Sequence, residues 1–105
     1  MKDFLPVGSV VRLKGIEKRL VVAGVFQVEA NDETKIHDYV GNPYPEGFLG
    51  REGNILFDEG DIEEVCFRGY EDEERTEFIK LLNQAFEVLS LEEELKKLIA
   101  DDTIR

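Results

Sequence analysis

The hydrophobic period of this chain changes once, after Gly69, and that change limits the folds open to it. Up to Gly69 the apolar residues alternate or fall in short runs. Beyond it they recur at Phe78, Leu81, Leu82, Ala85, Phe86 and Leu89, spaced i, i+3, i+4, i+7, i+8, i+11. Alternation belongs to strands, and the second spacing to one face of an amphipathic helix. Strands first and helix after make an α+β fold: a small bent antiparallel or barrel-like sheet of about five strands, then one or two C-terminal helices. At 105 residues, 42% of them hydrophobic, the chain suits one domain with a buried core. Its β-rich part is 1–69, its helical part 70–100, and 101–105 is a tail.

"LPVGSVVRLKG" reads as a first strand, with Val7, Ser9, Val11 and Leu13 on one face and Val10, Arg12 and Lys14 on the other. Gly15 to Lys18 is a turn. "RLVVAGVFQVE" is apolar on both faces and rich in β-branched residues, as a central strand is. The short connection makes the two an antiparallel hairpin. "ANDETK" is a polar turn, "IHDYVG" a third strand, "NILFD" a short fourth one and "EGD" a turn. "IEEVCFRGY" is the last strand, with Val65 and Phe67 on one face.

The acidic run Glu71–Glu74 complements the dipole at a helix start, with Asp72 as N-cap. Phe78, Leu82 and Phe86 are the expected core residues of that helix. Ser90 and Glu93 spell a capping box, so a second helix starts there, or one long helix continues through it. Leu91, Leu95, Leu98 and Ile99 form the apolar stripe of that segment. The stripe covers the sheet, pairs with a second copy, or meets a partner.

The formal net charge is −11. The first 35 residues carry 6 basic and 5 acidic residues, and the remaining seventy carry 7 and 19. No basic footprint for nucleic acid or an anionic membrane is visible. A basic protein partner is favoured by long-range attraction, although acidity also simply keeps a protein soluble. Cys66 is the only cysteine, which excludes an internal disulfide and fits a reducing cytosol. The start "MKDFLPVGSVV" lacks the long apolar core of a signal peptide, and no apolar run reaches spanning length. The expected location is the cytoplasm, with export by a dedicated machine left open.

Catalytic constellations are not evident. His37 is the only histidine, so a two-histidine metal site is excluded; it reads as a half-exposed strand residue without partners. Cys66 reads as a small buried hydrophobe, with Glu63 and Glu64 beside it discouraging a thiolate. "DEGDIEE", Asp58 to Glu64, does not fit a calcium loop and reads as a solvated acidic turn. The expectation is a non-enzyme with no catalytic residues, no metal and no cofactor.

"DYVGNPYPEGFLGREGN" carries aromatic residues on a backbone unsuited to regular structure. Pro43 and Pro45 stiffen it, and Gly41 and Gly47 permit positive φ. Tyr39 and Tyr44 fold back on the sheet as a cap, or the loop presents Tyr44, Pro45, Phe48 and Leu49 to a partner at low entropic cost.

Three stretches in order, "LPVGSVVRLKGIEKRLVVAG", "DYVGNPYPEG" and "FDEGDIEEVCFRGYEDEER", resemble a family of small proteins of unknown function. Its members are carried by Firmicutes, often beside genes for type VII (ESX-like) secretion and LXG toxins. The resemblance covers about Leu5 to Phe78; the tail from Leu89 looks variable in such proteins. Ile16 stands where the family pattern has a Gly or polar residue. The resemblance implies an accessory role: chaperone or targeting adaptor for a toxin-like protein partner, with an immunity protein as the alternative and a small hydrolase as a third class. The residues expected to bind the partner are Tyr44, Pro45, Phe48 and Leu49 in the loop, and Leu91, Leu95 and Leu98 near the C-terminus.

Overall fold

The structure is a computed structural model that describes residues 3–29 and 31–104, the side chains of 32, 33, 90, 92, 93 and 96–104 excepted. The chain divides into two compact units, Phe4–Asp72 and one built on the C-terminal helix.

The first unit is a five-stranded antiparallel sheet. Its strands are β1 (Val10–Leu13), β2 (Arg19–Glu29), β3 (Asp32–Pro43), β4 (Ile55–Phe57) and β5 (Ile62–Phe67), in the spatial order β4-β3-β2-β1-β5. β2 is the central strand, over the residues its β-branched run marks. β3 is longer at both ends than the sequence pattern indicates. It starts at Asp32, so the polar segment after Glu29 is mostly strand rather than turn. It ends on Pro43, paired with Leu20. The proline is tolerated because the donor to β2 at this end is the next residue, whose amide (Tyr44) bonds the Arg19 carbonyl.

β4 and β5 lie at opposite edges, yet only residues 58–61 join them. Five flat strands would put the edges about 19 Å apart at ~4.8 Å per strand. The link contains a 3-10 turn, Glu59–Asp61, and with ~2 Å rise per 3-10 residue it reaches only about 14 Å. The sheet therefore has to curl. The turn is fastened at both sides: the Lys14 amide donates to the Asp61 carbonyl (2.9 Å), and the Asp38 amide to Asp58 Oδ1 (2.9 Å).

The concave face holds the core. Val11 and Leu13 from β1, Leu20 and Val22 from β2, Tyr39 from β3 and Phe57 from β4 are buried there, with Phe4 and Leu5. Tyr39 stacks on Phe57 with ring centroids 5.2 Å apart and meets the edge of Phe4 at 6.1 Å. Gly41 makes room for this stack, since a Cβ there would lie 2.9 Å from Phe57 Cε1. That close approach, not a positive φ, is its role. Ser9 shares the buried face as expected, but Val7 sits in a turn and is exposed.

Pairing of β1 with β5 shifts register between Val10 and Val11 and again between Arg12 and Leu13. Val10 opposes Phe67 while Val11 opposes Val65, so Cys66 is an extra residue. The bulge breaks the alternation. Val65 and Phe67 do not share a face, and Cys66 is exposed rather than buried. Phe26 takes a left-handed conformation (φ 55) inside β2, an unusual state for a bulky residue, with register kept on both sides of it.

The second unit is one α-helix, α1 (Glu73–Ile104), beginning directly after Asp72 with Glu73 and Glu74 in its first turn. It runs through Ser90 without a break. A capping box is needed for a helix start there but does not by itself stop the preceding helix, and no Gly or Pro stands near Leu89 to do so. Burial follows Ile79 and Asn83, with Leu82, Phe86 and Leu89 half-buried; Phe78 is 49% exposed and Leu81 and Ala85 are exposed. The buried line is thus turned about the helix axis from the apolar stripe by less than one residue step of ~100°. Asn83 is accommodated on it because its amide donates to the Ile79 carbonyl (3.0 Å).

Candidate functional site

The Gly/Pro-rich segment leaves the sheet at Pro43 as a tied-down turn. The Tyr44 amide donates to the Arg19 carbonyl (2.9 Å), extending the β2–β3 ladder by one bond. The Gly47 amide donates to the Pro43 carbonyl (2.6 Å), closing the turn. Gly47 (φ 80) supplies the left-handed residue this needs, and the Tyr44–Pro45 peptide is cis. Lys18 Nζ reaches both oxygens of Glu46 (2.6 and 2.9 Å), which holds that carboxyl below its usual range. A 3-10 turn, Arg51–Gly53, follows, and Asn54 Oδ1 accepts from Asn42 Nδ2 (2.7 Å) at the return to the sheet.

On this frame Phe48 and Leu49 are more than half exposed, Pro45 is exposed and Tyr44 is 43% exposed. Tyr39 alone of the segment's aromatic residues folds into the core. Tyr44 instead lines a concavity of about 570 Å³ on the convex face, with Gly8, Val10, Arg19, Val21, Cys66 and Phe67. The bulge at Cys66 makes that surface, by setting Cys66 and Phe67 together opposite Val10. Of the residues expected to bind a partner, the structure brings only Tyr44 to this concavity. Phe48 and Leu49 stand outside it. Leu91 and Leu95 are exposed on α1, and the side chain of Leu98 lies outside the described residues. Sequence reasoning missed Phe67, Val10 and Val21, because a bulge reverses which side of a strand a residue faces and leaves no mark in the sequence.

At the β4–β5 link, the acidic residues are not merely solvated. Asp58 and Asp61 cap the 3-10 turn reciprocally, the Asp58 amide donating to Asp61 Oδ2 (2.9 Å). Asp38, buried on β3, accepts the Glu59 amide at Oδ2 (2.9 Å). Glu59 accepts the Tyr39 hydroxyl, and that hydroxyl accepts the Leu5 amide (2.9 Å). Burial, and next Glu59, push the phenol far above its ordinary range. His37 is not without partners either. Its Nε2 lies 2.8 Å from Glu29 Oε1 and its Nδ1 3.3 Å from Asp58 Oδ2. The Glu29 hydrogen bond raises the imidazole pKa above 6.5, against the opposing effect of burial, and Asp58 adds to the rise. Glu29, at the end of β2, and Asp58, in the β4–β5 link, lie 8 and 21 residues away along the chain, separations no local pattern encodes.

Among the described residues, no cluster of His, Cys, Asp or Glu could hold a metal ion. No helix there is long and apolar enough to cross a membrane.

The molecule is thus an α+β module: a curled sheet whose convex face and one braced loop carry apolar side chains, joined to a long helix. Residues 4–78 match the model of DUF4176, a domain of unknown function, and the chain belongs to that family. No curated protein and no solved structure matches it.

Proposed function

We propose that this protein is a non-enzymatic cytoplasmic binding protein of a type VII secretion locus in Firmicutes, a chaperone or targeting adaptor for a toxin-like protein. The resemblance to proteins encoded beside such toxins motivates the locus. One structural observation carries the binding part: Tyr44, Phe48 and Leu49 project from a turn that is hydrogen-bonded at both ends. Exposed aromatic and aliphatic residues on a rigid support lose little entropy when a partner covers them. The polar cluster at the β4–β5 link lends itself less to catalysis, because each His37 ring nitrogen already faces a carboxylate.

The test is co-purification with the products of neighbouring genes, followed by affinity measurement. The Tyr44→Ala, Phe48→Ala double variant should keep its melting temperature and bind roughly tenfold or more weakly, as loss of two interface aromatics implies. Unchanged affinity would remove the loop from the interface. A toxin that stays active in the complex supports the adaptor role; one that is silenced makes the protein an immunity factor.

A further inference from the structure

α1 carries a second apolar line besides the buried one. Leu81, Val88 and Leu95 repeat at seven-residue spacing, with Leu91 three residues after Val88. All four are more than half exposed. In heptad terms they occupy a, a, a and d, and Leu98 takes the next d by sequence. Seven residues make just under two turns, so the line stays on one side of the helix over about two heptads, ~21 Å. Scattered exposed leucines are ordinary on a surface. The d position after Leu81 is Gln84, but from Val88 on both a and d are apolar, the pattern that seats a second helix.

The charges beside this line decide which helix. The g positions preceding Val88 and Leu95 are Glu87 and Glu94, both exposed. Between Glu73 and Leu95 the chain has seven acidic and two basic residues. In an antiparallel pair of copies the g residues face one another: with Val88 level with Leu91 of the copy, Glu87 meets Glu94, and Lys80, the basic g residue before Leu81, reaches neither. In a parallel pair each g residue faces the e of the following heptad on the copy, so Glu87 would meet Glu92. Both arrangements set like charges beside the seam, which opposes self-pairing.

We infer that the exposed Leu81–Leu95 line of α1 is a docking seam for a helix of a different protein, one with an apolar heptad seam flanked by lysine or arginine. The inference rests on the binding-protein reading and adds the chemistry of the partner surface that the helix accepts. The acidic flanks would raise the association rate, and the leucine seam would set the lifetime of the complex.

The experiment uses the full chain and two synthetic helical peptides of three heptads, both with Leu at a and d. One has Lys at e and g, the other Glu. The Lys-flanked peptide should bind, roughly tenfold more weakly at high salt than at low salt, and the Glu-flanked peptide should not. Val88→Asp should abolish binding with the far-UV helical signal kept; Leu91→Gln is a milder second variant that should weaken it. Ile16→Ser, at an exposed apolar residue of the β1–β2 turn, should leave peptide binding unchanged. Equal binding of both peptides, no binding of the Lys-flanked one, or indifference to both seam substitutions would overturn the inference. So would a dimer in sedimentation at low salt that Val88→Asp disrupts, since the occupant would then be a second copy. Failure here leaves the loop-dependent affinity for a native partner untouched, so the two readings fail separately.

Discussion

Phe57 in the sheet unit and Val88 in α1 are both apolar residues in regular, alternating or heptad patterns, and they meet opposite fates. Phe57 is buried under Tyr39, while Val88 faces solvent. The acids differ in the same way. Asp38, Asp58, Glu59 and Asp61 accept hydrogen bonds from backbone amides and a phenol across 20 residues or more of chain, or cap a turn. Glu87 and Glu94 on α1 are exposed. A curled sheet encloses its own concave face, so its apolar residues find neighbours within the unit. A single helix has no inside, and each apolar line beyond the first needs a second layer. An apolar period therefore marks a surface that wants covering, and the fold decides whether the chain itself covers it.

This contrast is open to attack, most forcefully through the core. Phe57→Ala should lower stability by about 3–5 kcal/mol, whereas Val88→Ala and Leu81→Ala should change it by less than ~0.5 kcal/mol. Urea unfolding measures both, and a large loss at Val88 would show that the heptad line is already packed. Gly69→Ala comes next. A Cβ there would lie 2.6 Å from the Val7 carbonyl oxygen and 3.1 Å from the Ser9 nitrogen. It would also press on the place where the Gly69 amide donates to the buried Ser9 hydroxyl (2.9 Å). Overpacking against backbone should cost about 1–3 kcal/mol. Gly60→Ala, with open space around it, is the paired control and should be near neutral.

Tyr39→Phe keeps the ring stack but strips a hydroxyl that serves Leu5 and Glu59. Leaving those groups without it should cost about 1–3 kcal/mol in the same assay. A neutral result would mean that water replaces the hydroxyl and the link is less buried than its hydrogen bonds suggest. The smallest effect concerns pH. The His37 pKa is raised in the folded state, first by Glu29, so its contribution is fully present below pH 6.5. It is lost as pH rises through the folded-state pKa. His37→Gln should remove that part of the pH dependence and cost ~1 kcal/mol at low pH. Because the chain has one histidine, its imidazole resonance followed against pH reports the sheet unit alone. A pKa at or below 6.5 would remove the paired-carboxylate account.

Much of the secondary structure was legible because local side-chain chemistry specifies it. The run Arg19–Glu29 is β-branched throughout its centre, and β2 occupies it. Pro43, Pro45 and Gly47 marked the 43–50 segment as a loop, and it is one after Pro43, with Gly47 at positive φ as read and Gly41 not. The loop's outward Phe48 and Leu49 were among the residues singled out, since exposed apolar residues on a stiffened backbone stand out locally. The concavity beside Tyr44 was not foreseen, because Phe67 and Cys66 reach it only through a register shift against β1. The buried side of α1 was misjudged by part of a turn. The apolar count favours Phe78 and Leu81, while burial selects Ile79 and a self-bonded Asn83.

Local propensity and hydrophobic period were enough to establish the α+β class, the central strand, the helix after Asp72 and the acidic second half of the chain. They act over a few residues, and each leaves a readable trace. Strand order, the parity of β5, the carboxylates around His37 and the apolar line left open on α1 depend on residues beyond the reach of a local pattern, from eight to tens of positions apart. Those pairings follow from closing a curled sheet with a four-residue link, a geometric condition on the whole unit that no single stretch of sequence carries.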